Sequence, residues 1–250
     1  MLRTAQATRY VTPFREGGSL PALVEADDLG LYVVKFRGAG QGPLALVAEI
    51  VAGEIGRAVG LPVPELVLME IDPGLGRNDP DYEIRELLKA SEGLNLGVDF
   101  LPGSVMFDPA ARDRAPGELA SAVVWFDAFV TNIDRTARNP NLLYWHKQLY
   151  LIDHGAALYF HHDWTDTAKA SRSRFPAIRD HVLLPWADSI EKADREARAR
   201  LDQSVLGAVL DLVPDAWLSA SRAEYVDYFV QRLQSGEFVE EALRAREAFV

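Results

Sequence analysis

No cysteine occurs among the 250 residues, which excludes disulfides, thiol catalysis and cysteine metal sites. Basic residues are in deficit: 26 Lys and Arg against 37 Asp and Glu leave a formal net charge of −11 and a pI near 4.9. An acidic surface repels DNA, RNA and anionic lipid, so neither a nucleic-acid partner nor a membrane held by a broad basic patch is expected. No apolar run is long enough to span a bilayer, and Met1-Leu-Arg3 opens no signal-peptide pattern. These absences point to the cytoplasm. Internal repeats and low-complexity linkers are also lacking. What is present is ordinary for a globular chain: 48% hydrophobic and 25% charged residues, enough for one large domain or two small lobes.

Residues 9–14, 20–26 and 30–37 read as strands, with Glu16-Gly-Gly-Ser19 between the first two. A glycine turn there, with Gly17 and Gly18, could bring backbone N–H groups close to phosphates. It lacks the full Gly-x-Gly-x-x-Gly spacing and serves as well for a plain hairpin turn. Lys35 is the one polar side chain in Leu31-Tyr-Val-Val-Lys-Phe36, a strand whose apolar neighbours would aim it somewhere specific. Pro43 opens a helix in which Leu46, Val47, Ile50, Val51 and Ile55 repeat at helical spacing. Glu49 lies off that stripe. Residues 65–71 form another strand, 72–81 a turn-rich loop, and 93–104 mix strand and turn signals. From Asp188 the chain reads as three helices, 188–213, 215–234 and 237–249, which look like scaffold. Adjacent His161 and His162, with His154 as a third ligand, suggest a metal. Neighbouring strand residues point to opposite faces, however, which argues against one shared site.

The central stretch is Val130 to Leu143 and then Leu149 to Gly155. A helix at 118–131, apolar nearly all round, leads into a polar loop, and two β-prone runs separated by His146-Lys147 have hairpin spacing. Three polar groups, Asp134, Asn139 and Asp153, would then share one end of a rigid unit. Phosphoryl transfer needs a carboxylate to accept the proton of the attacking hydroxyl and oxygen ligands for a charge-neutralising metal. Protein kinases take these from an Asp, an Asn five residues later, and a second Asp after a short hairpin. Turn-forming and capping roles would also suit these residue types.

Taken in series, the Lys35 strand, Ala48-Glu-Ile-Val-Ala-Gly through Leu61-Pro-Val-Pro64, Asn132-Ile-Asp-Arg-Thr-Ala-Arg-Asn139 and Leu151-Ile-Asp-His-Gly155 resemble the HipA-like kinase family. That family is a bacterial branch of the protein-kinase-like fold with some similarity to phosphoinositide kinases. The resemblance covers roughly residues 8–235. It implies an α+β, bilobal protein-kinase-like fold: an N-terminal nucleotide-binding lobe, 1–92, of antiparallel strands with one helix, and a helical C-terminal lobe, 93–250. It implies ATP and Mg2+ as cofactors, Asp134 as catalytic base, and Asn139 and Asp153 as metal ligands. Lys35 would bind the α/β phosphates with Glu49 as its ion-pair partner. Gly17, Gly18 and Ser19 would cover the nucleotide, with residues near 94–100 at the adenine. Ser19 is also a candidate for autophosphorylation.

The expected reaction is transfer of the γ-phosphate to a hydroxyl, with Ser/Thr of a protein as the default acceptor. A nucleotide-binding pseudokinase and a small-molecule or lipid kinase are the alternatives. His154 stands where the usual Asp-Phe-Gly has phenylalanine. The chain is shorter than the toxins of that family and is expected to lack their extra N-terminal subdomain, which counts against a toxin role and an antitoxin partner.

Overall fold

The computed structural model describes residues 2–14, 20–40, 42–77, 79–111 and 113–249. The fold is mixed α+β. It divides into two compact units, Met1–Val47 with Pro64–Pro102 and Ala48–Val63 with Gly103–Val250.

The first unit is built on five strands: β1 (Thr4–Pro13), β2 (Ala22–Ala26), β3 (Leu31–Lys35), β4 (Leu66–Ile71) and β5 (Gly93–Asp99). They close into a barrel in the order β1-β2-β3-β5-β4. Alternation places Ala22, Val24 and Ala26 of β2, and Tyr32 and Val34 of β3, in the interior with Val67, Met69 and Ile71. One expectation is corrected here. The barrel is not wholly antiparallel, because β1 closes it by pairing parallel to β4, with Ala5 opposite Met69. Strand β5 pairs with β3 and β4 between Gly93 and Asp99. Gly97 is placed where a barrel interior needs it: a Cβ there would lie 2.8 Å from the Val67 side chain and 3.3 Å from that of Met69.

Helix α1 (Gly42–Ala58) follows β3, and its residues are divided between the two units. Helix α2 (Tyr82–Ala90) is a second helix beside the one expected in the first unit. Asp81 caps it by accepting the Glu83 N–H, and Ile84 and Leu88, one turn apart, pack into the barrel core.

The second unit surrounds α3 (Gly117–Val130), which is buried along most of its length. A three-stranded sheet, β6 (Val105–Met106), β7 (Leu142–Trp145) and β8 (Gln148–Leu151), lies in that order, followed by α4 (Thr167–Ser171), α5 (Ile190–Arg198), α6 (Gln203–Leu210), α7 (Arg222–Ser235) and α8 (Glu237–Glu247). Trp125 stacks on Phe129 at 5.1 Å and meets Phe238 of α8 edge-on. Its indole N–H donates to Asp194 of α5 at 2.8 Å. Arg232 of α7 is fully buried and donates to the Ala128 and Phe129 carbonyls at the end of α3, and to those of Ser171 and Ser173. Cations are favoured at a helix C-terminus, and this one satisfies carbonyls that the helix itself leaves open.

Candidate active site

Helix α3 ends at Thr131, which takes the left-handed conformation (φ 56°) and turns the chain into the polar loop. Asn132 then works in both directions. Its amide Nδ2 donates to Asp127 Oδ1 at 2.9 Å, and its Oδ1 accepts the Asp134 N–H at 3.1 Å. Asp134 is half-buried, and its Oδ2 accepts Nδ2 of Asn139 at 2.7 Å and Nδ2 of Asn141 at 3.4 Å. Among the described residues Oδ1 of Asp134 has no hydrogen-bond partner. The backbone of the loop is closed by Thr136 N–H to Asp134 O at 2.9 Å and Asn139 N–H to Thr136 O at 3.2 Å. Asp134 and Asn139 are therefore brought together in direct contact.

Asp153 follows β8. The hairpin register pairs Leu142 with Leu151, so the residue before β7 and the residue after β8 are neighbours: Ile152 N–H donates to Asn141 O at 3.1 Å. Asp153 itself is exposed and left-handed, with φ 55°, a conformation that costs a non-glycine residue energy and is maintained by what surrounds it. The surroundings include Glu49. This carboxylate, buried on α1, accepts the His154 N–H at 2.7 Å and lies 3.6 Å from His154 Nδ1. The His154 ring packs edge-on against Phe126 of α3. Glu49 thus fixes the residue directly after Asp153.

Sequence reasoning missed the buried group beneath this loop. Arg135 and Asp127, both fully buried, form an ion pair at 2.6 Å (Nε to Oδ2). Arg135 Nη1 also donates to the carbonyls of Asn141 and Ile152, tying the loop to the strand end before Asp153. His181 completes the group, with Nε2 2.8 Å from Asp127 Oδ2. Leu183 N–H donates to His181 Nδ1, so that nitrogen is unprotonated and Nε2 carries the proton given to Asp127. Burial pushes the imidazole below its usual range, against the pull of Asp127. For Asp127, burial alone would raise the carboxyl, but the Arg135 charge and the His181 bond outweigh it and hold it far below the usual range. The readable signal was an acid inside an otherwise apolar helix.

Lys35 is half-buried at the end of β3, opposite Leu96. Gly17, Gly18 and Ser19 lie outside the described residues. Asn139 commits its amide nitrogen to Asp134, so its amide oxygen and the carboxylate of Asp153 are the atoms that would face a metal. Such an all-oxygen set fits a hard cation such as Mg2+. The histidines do not make a metal centre: among the described residues no group of three His, Cys, Asp or Glu could hold an ion. His161 is instead buried against Tyr225, whose hydroxyl is 3.3 Å from its Nδ1. Also among the described residues, no helix is long and apolar enough to cross a membrane.

No curated protein matches the chain. Among solved structures it is similar to the crystal structure of a Helicobacter pylori proinflammatory kinase, CtkA, with a TM-score of 0.56 and 15% identity over 92% of this chain and 95% of that one. At that identity the likeness speaks for the fold. The sequence matches the HipA-like kinase family over residues 8–244, nearly its whole length. The chain belongs to the HipA-like kinase family.

Proposed function

We propose that this kinase is ATP- and Mg2+-dependent and transfers the γ-phosphoryl group to a hydroxyl, with Ser or Thr of a protein as the acceptor. The observation that carries the reading is the Asp134 carboxylate, fixed through Oδ2 by the amides of Asn139 and Asn141 and presenting Oδ1 without a partner among the described residues. A carboxylate so held can accept the proton of an acceptor hydroxyl as the new O–P bond forms and the bond from the γ-phosphorus to the bridging oxygen breaks, releasing ADP. Asn139 and Asp153 would hold Mg2+, which when bound neutralises phosphate charge. Lys35 is the residue assigned to the α/β phosphates, and the segment with Gly17, Gly18 and Ser19 is assigned to cover them.

Glu49 keeps Asp153 in place by holding the His154 N–H. Asn139 has two duties, orienting the base through its amide nitrogen and binding the cation through its oxygen, so its loss should harm both steps. The test is ATP binding by calorimetry with and without Mg2+, on wild type and Asp153→Asn, followed by phosphate transfer to a protein acceptor by wild type and Asp134→Ala. Binding that needs Mg2+, weakens in Asp153→Asn and leads to transfer lost in Asp134→Ala supports the reading. Mg2+-dependent binding without transfer by wild type would make the chain a pseudokinase. No binding at all would sink the proposal.

A further inference from the structure

Four of the buried polar side chains that the roles above leave unused meet in one group: Asp127, Asn132, Arg135 and His181. They come from α3, the catalytic loop and a segment that lies beyond Asp153. That last segment is anchored at both ends. Leu158 N–H donates to Val130 O at 2.8 Å at its start, and Val182 N–H donates to Arg135 O at 3.0 Å at its end, beside a bridge between Thr136 and His181.

We propose that His181 is a positioning residue for Asp134, acting through the Asp127 carboxylate; this rests on the reading of Asp134 as the proton acceptor. Two relays run from that carboxylate to the base. Oδ1 holds Asn132 Nδ2 at 2.9 Å, and Asn132 Oδ1 in turn holds the Asp134 N–H. Oδ2 holds Arg135, the next residue in the chain, at 2.6 Å. His181 shares Oδ2 with Arg135 and helps to fix the rotation of the carboxylate about its Cβ–Cγ bond, because it is the donor from outside the loop that supplies the other two, Asn132 and Arg135. Leu183 N–H on Nδ1 holds the imidazole in the donating tautomer. The segment therefore reaches Arg135 twice, once through the side chain by way of Asp127 and once through the backbone at Val182. Without the His181 donor, the carboxylate keeps only Asn132 and Arg135, both from the loop it positions, and both relays lose their tie to the segment beyond Asp153.

His181→Leu removes the donor, whereas His181→Gln retains an N–H in the place of Nε2. The leucine variant should lower kcat for transfer from ATP to casein at least about tenfold with KM for ATP within about threefold, since a misplaced base harms the chemical step rather than binding. It should also speed amide exchange at Asp134 and leave exchange at Val34 of β3 unchanged. The glutamine variant should recover most of both. Asn132→Ala cuts one relay without touching His181 or Arg135, and should reproduce the kcat loss if the leucine variant does not fold. A folded leucine variant with wild-type kcat and wild-type exchange at Asp134 would overturn the proposal, as would a glutamine variant as impaired as leucine. Absence of transfer by the wild type itself would instead remove the kinase reading, and exchange at Asp134 would still decide the positioning role.

Discussion

The sharpest energetic prediction concerns Asp127→Asn. The substitution keeps shape and hydrogen-bonding capacity toward Asn132 but removes the charge that balances Arg135. Both side chains of the pair have no exposed surface, and their separation is 2.6 Å. A guanidinium left buried without its counter-charge costs about 3–5 kcal/mol, because the desolvation already incurred is no longer offset. Against a net stability of about 5–15 kcal/mol, that is a large fraction. Arg135→Met should cost a similar amount by stranding the carboxylate. Combined, Asp127→Asn and Arg135→Met should cost clearly less than the sum, with a coupling on the order of 2 kcal/mol. The double variant is tolerable partly because the Asn141 carbonyl, on losing Arg135, still accepts the Ile152 N–H. Urea denaturation followed by tryptophan fluorescence is the suitable assay, because all five tryptophans, from Trp125 to Trp217, belong to the second unit. A single-variant loss under about 1 kcal/mol, or additivity of the two singles, would refute the reasoning.

Two further predictions concern other parts of the molecule. Burial, with a smaller effect of neighbouring His162, depresses the His161 pKa to about 3. The unfolded chain therefore takes up a proton near pH 6.5 that the native state refuses, and stability present above that pH is lost as pH falls toward 3. The slope is up to about 1.4 kcal/mol per pH unit, or about 2 kcal/mol between pH 6.5 and 5. His161→Phe should flatten the fall in urea midpoint across this range, while His181, shifted in the same direction, maintains part of it; an unchanged slope would show that His161 does not carry the effect. In the first unit, Gly97→Ala should destabilise by about 1–3 kcal/mol, against the usual gain from replacing a strand glycine, because its Cβ would meet Val67. Faster amide exchange at Val34 would register it, and slower exchange would show that the barrel yields easily.

What was legible in the sequence was local. The apolar run of α3 and the alternating β7–β8 hairpin are written in adjacent residues, and so is the five-residue step from Asp134 to Asn139. The hairpin needs φ above zero at His146 and Lys147, and the two-residue spacing signalled the turn although neither residue is glycine. What was not legible depends on residues far apart. The parallel pairing of β1 with β4 joins segments more than sixty residues apart. The region read as one helix from 188 to 213 is α5 and α6, because Asp202 accepts the Val205 N–H and starts a new helix. Helix α2 went unread behind a turn-rich loop, although Asp81 and the Ile84–Leu88 step were visible signals. For the site, Asp127 could be seen as an odd acid in an apolar helix, but its partners Arg135 and His181 lie eight and fifty-four residues further on.

The burial of α3 has a consequence for the order in which the molecule can be made. A helix buried on nearly every side is not finished by its own sequence, and its enclosing partners arrive late: Asp194 for its tryptophan, and Phe238 for its aromatic face. The guanidinium that closes its last turn belongs to Arg232, 103 residues beyond the Phe129 carbonyl it binds. Contacts of such separation can form only after most of the polypeptide has left the ribosome. Until then the most hydrophobic helix of the chain lacks its cover, which makes nascent chains ending between 131 and 232 the forms most in need of a chaperone.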